Sequence, residues 1–342
     1  MPTTSRVRDI ASARHSEETL RLSVVIPCYN EQESLPELFR RVSAACRSCV
    51  NGSFEIVLVD DGSTDGTWSC IGALAAEQSS IVGVKLSRNH GHQLALSAGL
   101  TVARGELILI IDADLQDPPE LLPKMIQLIE EGADVVYGLR IARHGESMLK
   151  RGTASLFYRL LDYLTDVKIP LDTGDFRLLT RRALDVLNAM PEQHRFIRGM
   201  VSWIGFRQVP LPYERQERFA GETKYPFSKM LRLAIDAVTS FSTRPLRLAS
   251  LFGFGFGALG LAGLVYTVGS WFRGYTVPGW ASITSIYLLM GSAQMFVLGI
   301  FGEYLGRLYM EAKGRPLYVI ESVVYANRST VEEKAPQVDY AG

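Results

Sequence analysis

Between Glu106 and Glu120 the chain reads ELILIIDADLQDPPE, a stretch in which Asp112, Asp114, Gln116 and Asp117 bring oxygen ligands close together. The apolar run Leu107 to Ile111 before them predicts a strand buried on both faces. A strand has period two, so Asp112, Asp114 and Gln116 project to one side if the extended geometry persists. Carboxylates gathered at the end of a buried strand are costly unless a cation or a hydrogen-bond donor meets them. Oxygen-rich sets of this kind suit Mg2+ or Mn2+, which typically keep substrate phosphates as remaining ligands. The plain alternative is an acidic turn capping the helix that Pro118 and Pro119 start, with Asp117 at the N-cap. That reading accounts for Asp117 and poorly for Asp112 and Asp114. These two are therefore read as belonging to a divalent metal site.

The elements around this stretch follow from apolar periodicity. Leu22 to Ile26 predicts a first strand ended by Pro27, and the loop PCYNE leads into an amphipathic helix reaching about Arg47. Phe54 to Val59 is a second strand, followed by DDGSTDGT, whose Gly62 and Gly66 permit tight turns. Ile81 to Leu86 is a third strand, Gln93 to Ala103 a helix, and Leu107 to Ile111 a fourth strand. A helix over Pro119 to Glu131 and a fifth strand over Asp134 to Gly138 complete the pattern. Strands alternating with helices imply a doubly wound, mostly parallel sheet. Ligands of such sheets gather at the carboxyl ends of the strands, where PCYNE, DDGS and DAD all fall. No P-loop and no dinucleotide fingerprint is present.

The chain has 342 residues and a formal net charge of +0, which argues against a general nucleic-acid partner. Cys46 and Cys49 have C-x-x-C spacing without a second pair, so all four cysteines are read as ordinary thiols in a reducing compartment. His90 and His92 lie too close for a zincin pattern and are read as solvated loop residues. Arg140 follows the fifth strand at the active edge, where a guanidinium suits a phosphate, although a surface arginine reads the same way. Arg218 and Lys224 flank Gly221, as expected of a mobile basic loop. Asp175, alone, reads as a helix cap or a turn aspartate.

VVIPCYNE (Val24 to Glu31), VDDGSTDGT (Val59 to Thr67) and DADLQDPPE (Asp112 to Glu120) resemble the signature loops of family 2 glycosyltransferases with the GT-A fold. GDFRLL (Gly174 to Leu179) and RFAGETKY (Arg218 to Tyr225) are similar to the polyprenyl-phosphate sugar transferase branch, bactoprenol glucosyltransferases above all. The resemblance runs from Leu22 to about Tyr325. It implies a nucleoside pocket lined by Pro27, Tyr29 and Glu31, with Asp60 or Asp61 meeting the base. It implies Asp112 beside the nucleotide, and Asp114 and Gln116 on Mg2+ or Mn2+. Arg218 and Lys224 would close over the donor diphosphate, and Arg140, Arg151 and Ser155 would grip the lipid phosphate, as in dolichyl-phosphate mannose synthases. The spacing from Arg140 to Arg151 differs from those relatives. Asp175 matches the transferase base position, and Asp112 joins it as a catalytic residue.

The remaining chain looks made for lipid. Met148 to Leu164 and Pro226 to Thr243 carry leucines and other apolar residues at helical spacing with basic flanks, as interfacial helices do, although such a helix more often packs on a core. Leu248 to Phe272 and Val277 to Gly302 contain no Asp, Glu, Lys or Arg, and each exceeds the roughly 20 residues that span a bilayer. Arg244 and Arg247 precede this pair and Arg307, Lys313 and Arg315 follow it, against Arg273 between them. The positive-inside rule then makes the sheet domain and both termini cytoplasmic, and the resemblance implies a bacterial inner membrane. Gly253 and Gly257 form a small-x-x-x-small pair that suggests close helix packing or a homo-oligomer.

The expected organisation is a disordered tail over 1–21, a GT-A catalytic domain over 22–225 and a juxtamembrane amphipathic helix over 226–245. A two-span transmembrane hairpin over 246–305 and a cytoplasmic tail over 306–342 follow. The expected activity is inverting transfer of a hexose, glucose by resemblance, from a UDP-sugar to a polyprenyl phosphate. Two rivals stand beside it: a polysaccharide synthase, which lacks support because no Q-x-x-R-W is present, and a silent scaffold recruiting a flippase partner.

Overall fold

The computed structural model describes residues 20–50, 52–141, 170, 173–214, 242, 244–274 and 279–325. They fall into two compact units, one built on a sheet and one on long helices. In the first, strands β1 (Leu22–Cys28), β2 (Phe54–Asp60), β3 (Ile81–Leu86) and β4 (Leu107–Ile110) pair in parallel in the order β4-β1-β2-β3. Their apolar runs are buried almost throughout, as a parallel sheet covered on both faces requires. The crossovers carry helices α1 (Leu35–Val50), α2 (Thr67–Glu77) and α3 (His92–Val102). β1 does not stop at Pro27. It pairs on to Cys28, with Pro27 opposite Val59.

Beyond β4 the sheet changes character. β5 (Val135–Arg140) and β6 (Thr173–Thr180) run antiparallel to one another, and β6 inserts antiparallel between β5 and β4. β7 (Gln208–Tyr213) pairs in parallel with the outer side of β5. Ile110 pairs with Arg177, so an antiparallel register carried two residues on sets Asp112 opposite Asp175. That register is what joins the two halves of the site. Asp175 is thus neither a cap nor a turn residue; it sits inside β6 and is buried.

Asp117 is not an N-cap. Pro118 occupies that position of a short 3-10 turn, Pro119–Leu121, which runs into helix α4 (Leu122–Glu130). Asp117 is instead buried, and its Oδ1 accepts from the Tyr213 hydroxyl at the end of β7.

The expected C-terminal tail contributes to the sheet. β8 (Ile320–Tyr325) lies antiparallel on β3, with Lys85 and Glu321 ion-paired at 2.9 Å. At the opposite ends of the strands a buried polar knot ties β1, β2 and the α3–β4 link. Glu55 accepts from Ser23 Oγ at 2.7 Å, from the Arg104 backbone N–H at 2.7 Å and from the Arg104 guanidinium at 2.7 Å.

The second unit holds α7 (Arg244–Phe272) and α8 (Trp280–Ala312), which pack on each other. (Two helices of the first unit, α5, Arg181–Ala189, and α6, Ile197–Ile204, precede them.) Among the described residues one helix, over Arg244–Ser270 with mean hydropathy 1.9, is long and apolar enough to cross a membrane. Large apolar side chains on both helices point outward, Phe254, Leu259 and Val265 on α7 and Ile283, Tyr287 and Met295 on α8. The interfacial helices expected over Met148 to Leu164 and Pro226 to Thr243 lie outside the described residues, Ser242 apart.

Candidate active site

The loops after β1 and β2 are stitched into one floor. The Asn30 N–H donates to Ser63 Oγ at 3.0 Å, and Asn30 Oδ1 accepts from the Thr64 N–H at 2.9 Å. The Glu31 N–H donates to Thr67 Oγ1 at 2.9 Å, and Gln32 Oε1 accepts from the Gly66 N–H at 2.9 Å. Pro27, Tyr29, Glu31, Asp60 and Asp61 are thereby brought together, with Tyr29 the most exposed of them.

Asp60 and Asp61 have different tasks. Both Asp61 oxygens accept backbone N–H groups of the next loop, His90 at 2.7 Å and Gly91 at 2.9 Å. Burial raises the Asp61 pKa, and those two hydrogen bonds pull the other way. Asp60 accepts from the Ser63 N–H, while its Oδ2 is buried without a hydrogen-bond partner among the described residues. Gly62 makes the junction possible. It has φ +66, and a Cβ there would lie 2.5 Å from the backbone of Arg88 and Asn89. Gly62→Ala is expected to spread the two loops at a cost of about 1–3 kcal/mol. A lowered thermal unfolding midpoint checks this; an unchanged midpoint would mean that the loops take the Cβ without spreading.

After β4 the extended geometry does not persist. Leu115 turns into the left-handed region at φ 60, and Asp114 Oδ1 accepts from the Gln116 N–H at 3.2 Å. Asp114 and Gln116 therefore share a local turn, and the expected common face for Asp112, Asp114 and Gln116 is broken. Asp112 joins a different set. His92 Nε2 lies 3.5 Å from Asp112 Oδ1 and 3.0 Å from Asp175 Oδ2, and one ligand atom of each of the three residues lies within 4.8 Å of the others.

His92 is thus solvent-exposed as expected, but it belongs to a helix and not to the loop. It opens α3, 44% exposed, with its ring turned to the two carboxylates.

Asp175 accepts from three side chains. Arg198 Nε reaches Oδ1 at 2.7 Å, and Gln93 Nε2 and His92 Nε2 reach Oδ2 at 3.0 Å. Burial works to raise its pKa, but the Arg198 and His92 charges and hydrogen bonds outweigh it and hold the carboxyl well below the usual range. Asp112 goes the other way. Burial, with Asp175, Asp117 and Asp114 nearby, raises it to about 6 against the pull of His92. Its Oδ1 is buried without a hydrogen-bond partner among the described residues.

A divalent ion fits this place. An orphaned buried oxygen and a crowded carboxylate with a raised pKa are what a cation relieves, and carboxylate oxygens suit Mn2+ or Mg2+. Asp112 is the ligand on which this turns, because Asp175 is already engaged by the Arg198 guanidinium.

Arg140, expected on the lipid phosphate, donates to the Tyr213 hydroxyl at 3.2 Å and lies 3.7 Å from Asp117. A Cβ on Gly174 would overlap its guanidinium. Arg151, Ser155, Arg218 and Lys224 lie outside the described residues. Sequence reasoning passed over His92, Gln93 and Arg198. The first two follow the β3 loop and so sit at the same carboxyl edge as the other motifs, a signal open to use. Arg198 offers no local signal; only the tertiary fold brings α6 to β6.

The glycosyl transferase family 2 model matches residues 23–187. An uncharacterized glycosyltransferase of Bacillus subtilis, YkcC, is 43% identical over 305 residues, 88% of this chain and 94% of its own. This chain belongs to glycosyl transferase family 2. A prophage bactoprenol glucosyl transferase homolog of Escherichia coli is 38% identical over 89% of this chain and 99% of its own. The bactoprenol glucosyl transferase of Shigella phage SfX is 37% identical with the same coverage.

Among solved structures, glucosyl-3-phosphoglycerate synthase from Mycobacterium tuberculosis, in complex with Mn2+, UDP-glucose and phosphoglyceric acid, aligns at TM-score 0.41 and 20% identity. It covers 69% of this chain and 82% of that one, a likeness too loose to assign a ligand. The family 2 chain described here is a glycosyltransferase, and its mostly parallel α/β sheet agrees with the GT-A fold.

Proposed function

We propose that this family 2 enzyme is a membrane-anchored, metal-dependent, inverting transferase that moves glucose from UDP-glucose to a polyprenyl phosphate at the cytoplasmic face. The observation that carries this is the convergence of Asp112, His92 and Asp175 beside the stitched β1 and β2 loops. Relatives named for bactoprenol glucosyl transfer align over 89% of the chain, which supplies the acceptor class.

A divalent ion, held by Asp112 from the geometry and by Asp114 and Gln116 from the resemblance, would neutralise the leaving diphosphate. The chain's own groups do the rest. The loops after β1 and β2 fix the nucleoside. A phosphate monoester has its second pKa near ~6 and is already largely anionic, so no strong base is required. Asp175, held far below the ordinary carboxylate range, is a weak base and suits orienting the site. Arg140, Arg151 and Ser155 remain the proposed acceptor-phosphate contacts, and Arg218 and Lys224 the proposed cations over the diphosphate.

The chain's return to the sheet supports a two-span hairpin. β7 ends at Tyr213 and β8 begins at Ile320, and both are strands of one sheet. The segment between them leaves and rejoins one sheet, so a crossing by α7 would call for a second one, and α8 is the helix we propose for it. A cysteine introduced at Tyr275 is expected to react with an impermeant thiol reagent in intact cells, and one at Asn327 is not. The reverse pattern would overturn the orientation.

The metal requirement is tested with purified protein, UDP-glucose and undecaprenyl phosphate. EDTA is expected to stop transfer and added Mn2+ or Mg2+ to restore it. Transfer that continues through chelation would reject the metal.

A further inference from the structure

Asp175 is 1% exposed, yet three side chains from two separate helices meet on it: His92 and Gln93 at the start of α3, and Arg198 in the first turn of α6. Gln93 links the other two elements. Its Nε2 donates to Asp175, while its Oε1 accepts the Ile197 N–H at 2.9 Å, one of the open backbone donors at the start of α6. The first turn of α6 is thus pinned to the first turn of α3, and Arg198 is the next residue. Its guanidinium spans both Asp175 oxygens, Nε to Oδ1 at 2.7 Å and Nη2 to Oδ2 at 3.4 Å. A planar fork engaging both oxygens fixes the carboxylate plane, which a lysine cannot do. On the other side Arg177, fully buried, donates to the backbone carbonyls of Asp175 and Gly174, so the strand carrying the carboxylate is held as well.

From this geometry we infer that Arg198 is a positioning residue of the transfer reaction, setting the plane of Asp175 so that its Oδ2 edge faces His92 and Asp112. The inference rests on reading Asp175 as part of the transfer site. Arg198 does its work through Asp175 and makes no contribution without it.

The test is a double-mutant cycle in the full-length membrane protein, with wild type, Asp175→Asn, Arg198→Gln and the double variant, plus Arg198→Lys. Turnover is read with UDP-glucose and undecaprenyl phosphate. Arg198→Gln is expected to lower kcat about 10–100-fold, the usual scale for a group one step behind a functional side chain, with the UDP-glucose KM nearly unchanged. Arg198→Lys recovers part of the loss, because it restores charge without the fork. In the Asp175→Asn background Arg198→Gln adds no further loss.

Full additivity of the two variants, or wild-type kcat in Arg198→Gln, overturns the inference and leaves the proposed function standing. Wild-type kcat in Asp175→Asn instead removes Asp175 from the site, and the role of Arg198 with it. The same proteins give the cycle in thermal stability, which needs no substrate: non-additive unfolding midpoints support the contact, and additive ones refute it. Should Arg198→Gln not fold, Arg198→Lys carries the kinetic test at a normal unfolding midpoint, with a wild-type kcat counting against the inference.

Discussion

Asp112→Asn is expected to lower kcat by about 10²–10³-fold, the scale seen when a group stabilising developing charge is removed, while the protein still folds and inserts. The substitution keeps the shape and removes the charge. Asp112 is the carboxylate with a buried, unpartnered oxygen and a pKa raised to about 6, so its environment already disfavours the bare anion. Losing that charge therefore costs little stability and takes away the natural seat of a cation. Mn2+ affinity, read by calorimetry on the purified protein, should fall together with kcat. Asp114→Asn is expected to abolish turnover too, as the resemblance implies. The two variants separate the assignments. A variant at Asp112 with near-normal metal affinity and rate would leave the metal to Asp114 and Gln116 alone.

Glu55→Gln is expected to act on stability instead. Glu55 is 2% exposed, and its carboxylate accepts from Ser23, the Arg104 backbone and the Arg104 guanidinium. Breaking a buried charge pair typically costs 3–5 kcal/mol, and because Arg104 is half exposed and can turn to water, about 3 kcal/mol is expected here. At roughly 2–4 °C per kcal/mol for a unit of this size, the unfolding midpoint drops by about 6–12 °C. This knot lies at the end of the strands away from the site, so kcat per folded molecule should not change. A midpoint within a degree or two of wild type would mean that the amide replaces the carboxylate at every donor.

Much of this architecture could be read from residue order. The apolar runs Leu22 to Ile26, Phe54 to Val59, Ile81 to Leu86 and Leu107 to Ile111 became β1 to β4 with small shifts at their ends, because each is a short run bounded by turn residues. The three acidic or polar loops at their carboxyl ends came together for the same reason. What escaped was long-range. Asp175 looks like a turn residue in TGDFR, and only the antiparallel insertion of β6 beside β4 places it opposite Asp112. Asp117 looks like a helix cap, but Tyr213, distant in sequence, takes its carboxylate and leaves the cap to Pro118. The chain turns at Asp114, whose Oδ1 takes the Gln116 N–H, and Leu115 is left-handed, so the alternation that seemed to align Asp112, Asp114 and Gln116 ends there. β8 was hidden because a strand after two apolar helices has no neighbour in sequence to suggest its partner.

The proposed reaction at this site is transfer of a sugar to a lipid phosphate. The most direct measurement is a panel of radiolabelled nucleotide sugars, UDP-glucose among them, incubated with the purified protein, undecaprenyl phosphate and Mn2+ or Mg2+. Label extracted into the organic phase, from UDP-glucose above the others and lost in Asp112→Asn, is the result this account predicts. Folded, metal-loaded protein that moves no label from any of the donors into the lipid would contradict it.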